Sequence, residues 1–220
     1  MKITKIKKED EEELKDENVE ESKNILLKRY YRIMPGSAGS LSKLCYDTGF
    51  IGVDYGIKRD IGDLEDKSNN ERIKSLAGDR LDAGEKIRSL SASLSSLFRL
   101  AFELNIGDIV ISPDGDRKIM IGRVISKYHY EEGQELPHRI DVDWLSKKVS
   151  LDDLSTALRN SMGALGSLAE MTKHRIEIQK HILKLKGGKE ILKGDLYLDY
   201  INEFKKDLKS NILDTQIVEY

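Results

Sequence analysis

Residues 106–145 read IGDIVISPDGDRKIMIGRVISKYHYEEGQELPHRIDVDWL. Ile106-Gly107-Asp108 turns into IVIS, a short apolar run stopped by Pro113, Asp114 and Gly115, and such a run between turn residues marks a buried strand. Across the tight Asp114-Gly115-Asp116 turn, KIMIGRVISKYHY (118–130) supplies a second strand, so the two runs form a β-hairpin. Past Glu131-Glu132-Gly133, HRIDVDWL (138–145) alternates as a strand does, with Ile140, Val142 and Trp144 on one face. A parallel pair needs a crossover of about a dozen residues or more. These connections are shorter, so three successive antiparallel strands are expected.

Upstream, ILLKRYYRIM (25–34) is rich in β-branched and aromatic residues and stops at Pro35-Gly36, which makes it the first strand. Leu41, Leu44 and Cys45 then fall at helical spacing, and Phe50 to Tyr55 reads as a second short strand. Residues 58–71 are polar and read as a loop. From Arg72 the pattern turns helical, and Leu90, Leu94, Leu97, Phe98, Ala101 and Leu104 give one long helix a single buried face, up to Asn105. Downstream, Ser150-Leu151-Asp152-Asp153 has the form of a helix start, with Ser150 as N-cap, and a short helix to about Asn160 is expected. From Glu170, Ile176, Ile178, Ile182, Leu183 and Leu185 mark another helix as far as Gly187-Gly188, and a last one spans roughly 196–208. The expected fold class is α+β, a small mixed β-barrel whose ends are plugged by helices.

The chain has 220 residues, 35 % of them charged and 39 % hydrophobic, which excludes a large multidomain machine and wholesale disorder. Lys and Arg against Asp and Glu number 8 to 9 over residues 1–30, 19 to 22 over 31–170 and 10 to 8 over 171–220. A body with that balance lacks the net positive field of a non-specific nucleic-acid binder, so any such binding needs a local pocket or groove. Residues 9–21 hold nine acids against Lys15 alone and read as a solvated tether within a charged N-terminal segment, 1–23. That segment offers charges where a signal peptide needs an apolar stretch, no run is long enough for a membrane helix, and the expected compartment is the cytoplasm. Cys45 is the only cysteine, so an intramolecular disulfide and a zinc ribbon are excluded.

Taken together, YYRIM, FIGVDYG, LNIGDIVISPDG, IGRVISKYHY, RIDVDWL and LRNSMGALGSLAEMT occur in the order found in the PUA-like superfamily. Over residues 24–172 the chain resembles the EVE and YTH group of that superfamily, and in particular the variant found with modification-dependent restriction endonucleases. A helical extension, 173–220, follows. The resemblance implies a domain that extrudes a nucleotide and encloses its base, often a modified one, in an aromatic-lined pocket. A methylated base gains stacking and apolar contact in such a cage, while hydrogen bonds read its polar edge.

The resemblance makes the Phe50–Tyr55 segment one wall of that pocket, with Gly52 and Val53 offering backbone groups and Asp54 a hydrogen-bond acceptor. Tyr128 and Tyr130 share a strand face by period-two alternation, with His129 pointing the other way, and form a candidate stacking platform. Trp144 is a cage member or, as a large side chain on an apolar strand face, part of the core. Asn160 and Ser161 carry donors and acceptors for base or phosphate, against a plain capping role for Asn160. Arg123, Lys127, Arg139 and Arg159 are the candidate phosphate contacts, against a solvated surface role for each.

Enzyme signatures are missing. His129, His138, His174 and His181 lack HExxH spacing, GSAGSLSK (36–43) lacks P-loop spacing, and Asp114 with Asp116-Arg117-Lys118 sits in a turn too tight to make a nuclease metal site. The expectation is therefore a non-catalytic reader of modified DNA, with no cofactor or metal and no membrane, serving restriction nuclease or NTPase subunits. A protein-binding adaptor with a vestigial pocket and a reader of modified RNA are the alternatives.

Overall fold

A computed structural model describes residues 28–81, 87–164 and 166–185. The charged segment 1–23, the stretch beyond 185 and the helix expected over 196–208 lie outside the described residues. The chain divides into two compact units, Met1–Ile182 and Leu183–Tyr220, and the sheet belongs to the first.

Strand β1 (Tyr30–Ile33) is buried along its whole length. It pairs in parallel with β3 (Ile109–Pro113) and antiparallel with β8 (Leu168–Glu170). The 109–124 hairpin forms as expected, β3 joining β4 (Lys118–Val124) with Ile111 opposite Ile121. β4 pairs with β6 (His138–Trp144), and β6 with β2 (Phe50–Val53). Short β5 (His129–Tyr130) adds to β6, and β7 (Val149–Ser150) to β4. The resulting order is β2-β6-β4-β3-β1-β8, a mixed sheet curled as a half-barrel with β2 and β8 at its edges. The parallel β1–β3 pair is possible because residues 34–108, helices included, supply its long crossover.

Period two sends Tyr31, Ile33, Val110, Ile140 and Val142 to one face of the sheet. There they make a core with Ile57, Ile61, Leu76 of α2 (Asn69–Leu81) and Leu94 and Leu97 of α3 (Ile87–Phe98). Each such side chain removed from water contributes about 1.5–3 kcal/mol. Tyr30 lies on the opposite face, where its hydroxyl donates to Gln179 Oε1 of α5 (Arg175–Leu185). A smaller cluster of Cys45, Phe50 and Leu136 forms outside β2, under α1 (Ser42–Thr48). Burial pushes the Cys45 thiol up to about 12.

Several elements depart from expectation. The helix expected from Arg72 to Asn105 is described over α2 and α3, with residues 82–86 outside the described residues, and α3 widens into a π-turn at Arg99–Glu103. The expected loop 58–71 contains a 3₁₀ turn, Gly62–Leu64, and the start of α2. There Ser68 and Glu71 cap reciprocally, Glu71 accepting the Ser68 N–H while the Ser68 hydroxyl oxygen accepts the Glu71 N–H. Ser150 caps only a 3₁₀ turn, Leu151–Asp153, and it is Ser155 that starts α4 (Thr156–Met162), its Oγ accepting the Leu158 N–H. Glu170 closes β8 rather than opening a helix. No described helix is long and apolar enough to cross a membrane.

Candidate functional site

The expected single strand 118–130 is interrupted. Between the pairs Val124–Val142 and His129–Arg139 the chain advances five residues against three on β6, so two extra residues bulge and pairing resumes with the faces unchanged. Ser126 bridges the gap by accepting the Asp141 N–H on its Oγ. Tyr128, from the bulge, and Tyr130, on β5, both come against His138, with ring centroids 6.0 and 5.1 Å from the imidazole.

His138 is fully buried. Its Nε2 lies 2.9 Å from the Ile57 carbonyl oxygen and its Nδ1 2.9 Å from the Tyr128 hydroxyl. A carbonyl only accepts, so Nε2 carries the proton, Nδ1 accepts, and the Tyr128 hydroxyl donates. The Tyr128 oxygen accepts in turn from the Ile61 N–H at 3.3 Å. Burial holds His138 below the usual histidine range and raises the Tyr128 phenol, so both rings stay neutral. The pair thereby staples residues 57–61 to β6.

Two carboxylates stand at the ends of the stapled turn. Asp54 accepts the Gly56 N–H at 2.7 Å and Asp60 the Gly62 N–H at 2.8 Å, each through Oδ1. Their charges reach Tyr130, whose phenol is raised by burial first and then by Glu132, Asp54 and Asp60. Tyr55 is half-buried and packs on the main core. Of the residues singled out from sequence, the fold thus gathers Asp54, Tyr128 and Tyr130 at one rim. His138 and Asp60 complete the set.

The remaining sequence candidates are dispersed. Val53 is core. Phe50 and Gly52 share the opposite face of the sheet with Arg139, and the Arg139 guanidinium lies 4.1 Å from the Phe50 ring centroid. Gly52 is glycine because an added Cβ would stand 2.9 Å from the His138 carbonyl oxygen. Trp144, at the far end of β6, donates its indole N–H to the Cys45 carbonyl and sits 6.0 Å from the Tyr46 ring. Asn160 is exposed, and both it and Ser161 lie within α4, with Ser161 Oγ 2.8 Å from His174 Nε2. Among the four basic candidates, Arg123 faces Asp143 at 3.6 Å, Arg139 donates to the Leu136 and Glu135 carbonyls, Arg159 donates to the Leu154 carbonyl, and Lys127 is exposed. A cleft of about 390 Å³ opens on the Phe50–Arg139 face, lined also by His129, Glu131, Glu135 and Asp141. Among the described residues no three His, Cys, Asp or Glu side chains gather as a metal site.

The sequence profile of a domain of unknown function, DUF8426, matches residues 31–172, from the second residue of β1 to just past β8. The chain belongs to the DUF8426 family. The match takes in the whole half-barrel sheet except Tyr30 and every residue of the Tyr130–His138 rim. Among curated proteins nothing matches. What the rim offers chemically is one half-buried aromatic ring, backed by a neutral histidine that a second tyrosine holds in place, and carboxylates whose charge reaches its phenol. Such a set stacks a planar group and accepts hydrogen bonds from it; it repels anions.

Proposed function

We propose that the chain is a non-catalytic nucleic-acid reader of PUA-like, EVE/YTH-type architecture, which takes an extruded base, modified by methylation or hydroxymethylation, against Tyr130. The observation that supports this reading is the Tyr130–His138–Tyr128 assembly with Asp54 and Asp60 beside it. A base stacked on an aromatic side chain gains about 1–3 kcal/mol whatever its identity. The neighbouring carboxylates of Asp54 and Asp60, whose charge reaches the Tyr130 phenol, are acceptors for an exocyclic amino or hydroxymethyl group, which favours bases that present donors. With a formal charge of −2 the chain has little non-specific attraction for phosphates, so base contacts decide its binding. DNA in a cytoplasmic defence system, with cleavage by restriction nuclease or NTPase subunits, is the setting this reading favours.

The test is fluorescence anisotropy at one fixed salt concentration, with duplex and single-stranded DNA and RNA carrying no modification, 5-methylcytosine, 5-hydroxymethylcytosine or N6-methyladenine. A preference for one modified strand, lost in folded Tyr130→Ala and kept in Trp144→Phe, is the expected result. Equal or absent binding across the set refutes base reading and leaves protein–protein adaptation as the function to pursue.

A further inference from the structure

The cleft of about 390 Å³ lies apart from the base-reading assembly, because β5 and β6 turn Tyr130 and His138 to one face and His129, Arg139 and Asp141 to the other. Its volume is within the range of about 300–1,000 Å³ that small-ligand sites occupy. Leu44 and Phe50, from the cluster under α1, give it an apolar side. Arg139 is the one lysine or arginine in the lining, and it is engaged within the protein: Nε and Nη2 donate to the Leu136 and Glu135 carbonyls, and the guanidinium covers the Phe50 ring. Against that single cation stand Glu131, Glu135 and Asp141, and none of these carboxylates accepts a hydrogen bond from a described residue. His129 sits beside two of them. Its Nε2 is 3.8 Å from Glu131 Oε1 and 3.7 Å from Asp141 Oδ1, beyond hydrogen-bond reach of both. Its Nδ1 lies 3.5 Å from the Lys127 carbonyl oxygen, which only accepts. With the proton held on that side, Nε2 is an acceptor as well. The cleft therefore gathers acceptors around one ring nitrogen and has no free cation of its own to answer them.

That arrangement matches a ligand which donates, carries positive charge and has an apolar stem. We propose that the cleft binds an organic cation, an ammonium or guanidinium group on an aliphatic chain, donating to His129 Nε2, Glu131 and Asp141 with its stem along Leu44 and Phe50. An ammonium has three N–H donors and a guanidinium five, and neither accepts, so both suit a set made of acceptors. Aliphatic stems of such groups cover apolar surface while the charged head stays at the polar side. Three carboxylates against one guanidinium repel phosphates, so this face is kept free of nucleic acid and the site does not depend on the reader function above. Basic side chains of a protein partner and free polyamines both carry this chemistry.

A titration of the full chain, followed by amide and histidine resonances at constant ionic strength, tests the site with n-butylammonium and n-butylguanidinium; n-butanol and butyrate serve as the neutral and anionic controls. Exposed charge pairs are individually weak, so a Kd of about 1 mM is expected for the cations, with saturable shifts at His129, Gln134 and Asp141 and none with either control. Asp141→Asn should weaken binding about tenfold. His129→Lys, which sets an ammonium of the chain's own beside Glu131 and Asp141, should abolish it. Should His129→Lys not fold, the double variant Glu131→Gln, Asp141→Asn takes its place with the same expected loss. No saturable shift by about 20 mM, equal shifts with n-butanol, or cation binding that survives the charge-filling or double variant overturns the proposal. Spermidine binding more tightly than amide-blocked lysine and arginine assigns the site to free polyamines, and the reverse order assigns it to a basic side chain of a protein partner.

Discussion

Replacing Tyr128 by phenylalanine keeps the ring and removes one oxygen, which separates a stacking role from a stapling one. In the folded protein that oxygen donates to His138 Nδ1 at 2.9 Å and accepts from the Ile61 N–H at 3.3 Å. Without it, two polar atoms of fully buried residues lose their partner at once. The imidazole has no tautomer to retreat to, because Nε2 must keep its proton for the Ile57 carbonyl. An orphaned buried group costs about 1–3 kcal/mol, and the longer Ile61 bond counts at the low end, so Tyr128→Phe should lose about 2–3 kcal/mol in urea unfolding. Hydrogen exchange at the Ile61 amide should accelerate by a larger factor than exchange in the β3–β4 hairpin. Combining Tyr128→Phe with His138→Gln should cost less than the two singles together by about 1 kcal/mol or more. A loss below about 0.5 kcal/mol, with Ile61 exchange unchanged, refutes the staple and returns Tyr128 to a simple stacking surface.

Two further outcomes follow from packing and titration. A Cβ added at Gly122 would stand 2.4 Å from Val142 Cγ1 and 2.7 Å from Trp144 Cε3, so Gly122→Ala should destabilise by about 1–3 kcal/mol and Val142→Ala should recover part of it, as read by circular dichroism in denaturant. His138 is held neutral, with its folded pKa below the unfolded value; the stability this gives is complete above about pH 6.5 and is lost as pH falls through the folded value. His174, also depressed by burial, acts with the same sign. The urea midpoint should therefore drop between about pH 7.5 and pH 5, and His138→Gln, less stable at the upper end, should show the shallower drop.

The β3–β4–β6 succession was legible because each strand keeps one face in the core, so its alternation survives in the residues. The bulge at 125–128 was not, for an arithmetical reason: an excess of two residues preserves parity, and ISKY contains no glycine or proline to mark it. β1 is buried on both faces and shows no alternation, so nothing in YYRI announces that its arginine lies inside. Ser150 and Ser155 look alike locally; Ser155 starts the helix because Glu177, twenty-two positions away, accepts from its hydroxyl. At the rim, the Tyr-x-Tyr spacing pointed to the right neighbourhood. His138 carries no metal-ligand spacing, and its signal is its place two residues before Ile140, which puts it on the apolar face of a strand. Asp60 was lost in a polar stretch whose staple comes from far along the chain.

The position of β1 between β3 and β8 also fixes an order of events during synthesis. β1, the first of the described strands, has its described partners at residues 109–111 and 168–170. At roughly 5–20 residues per second, a ribosome takes roughly 7–30 s to travel from Ile33 to Leu168. For that interval β1 keeps at least one edge open, since β3 can cover the other once residues 109–111 are made, and an open strand edge is the kind of segment that chaperones shield and that neighbouring chains capture. Native sheet formation therefore waits for the far end of the domain, and a ribosome stalled before β8 leaves an aggregation-prone product rather than a partly working one.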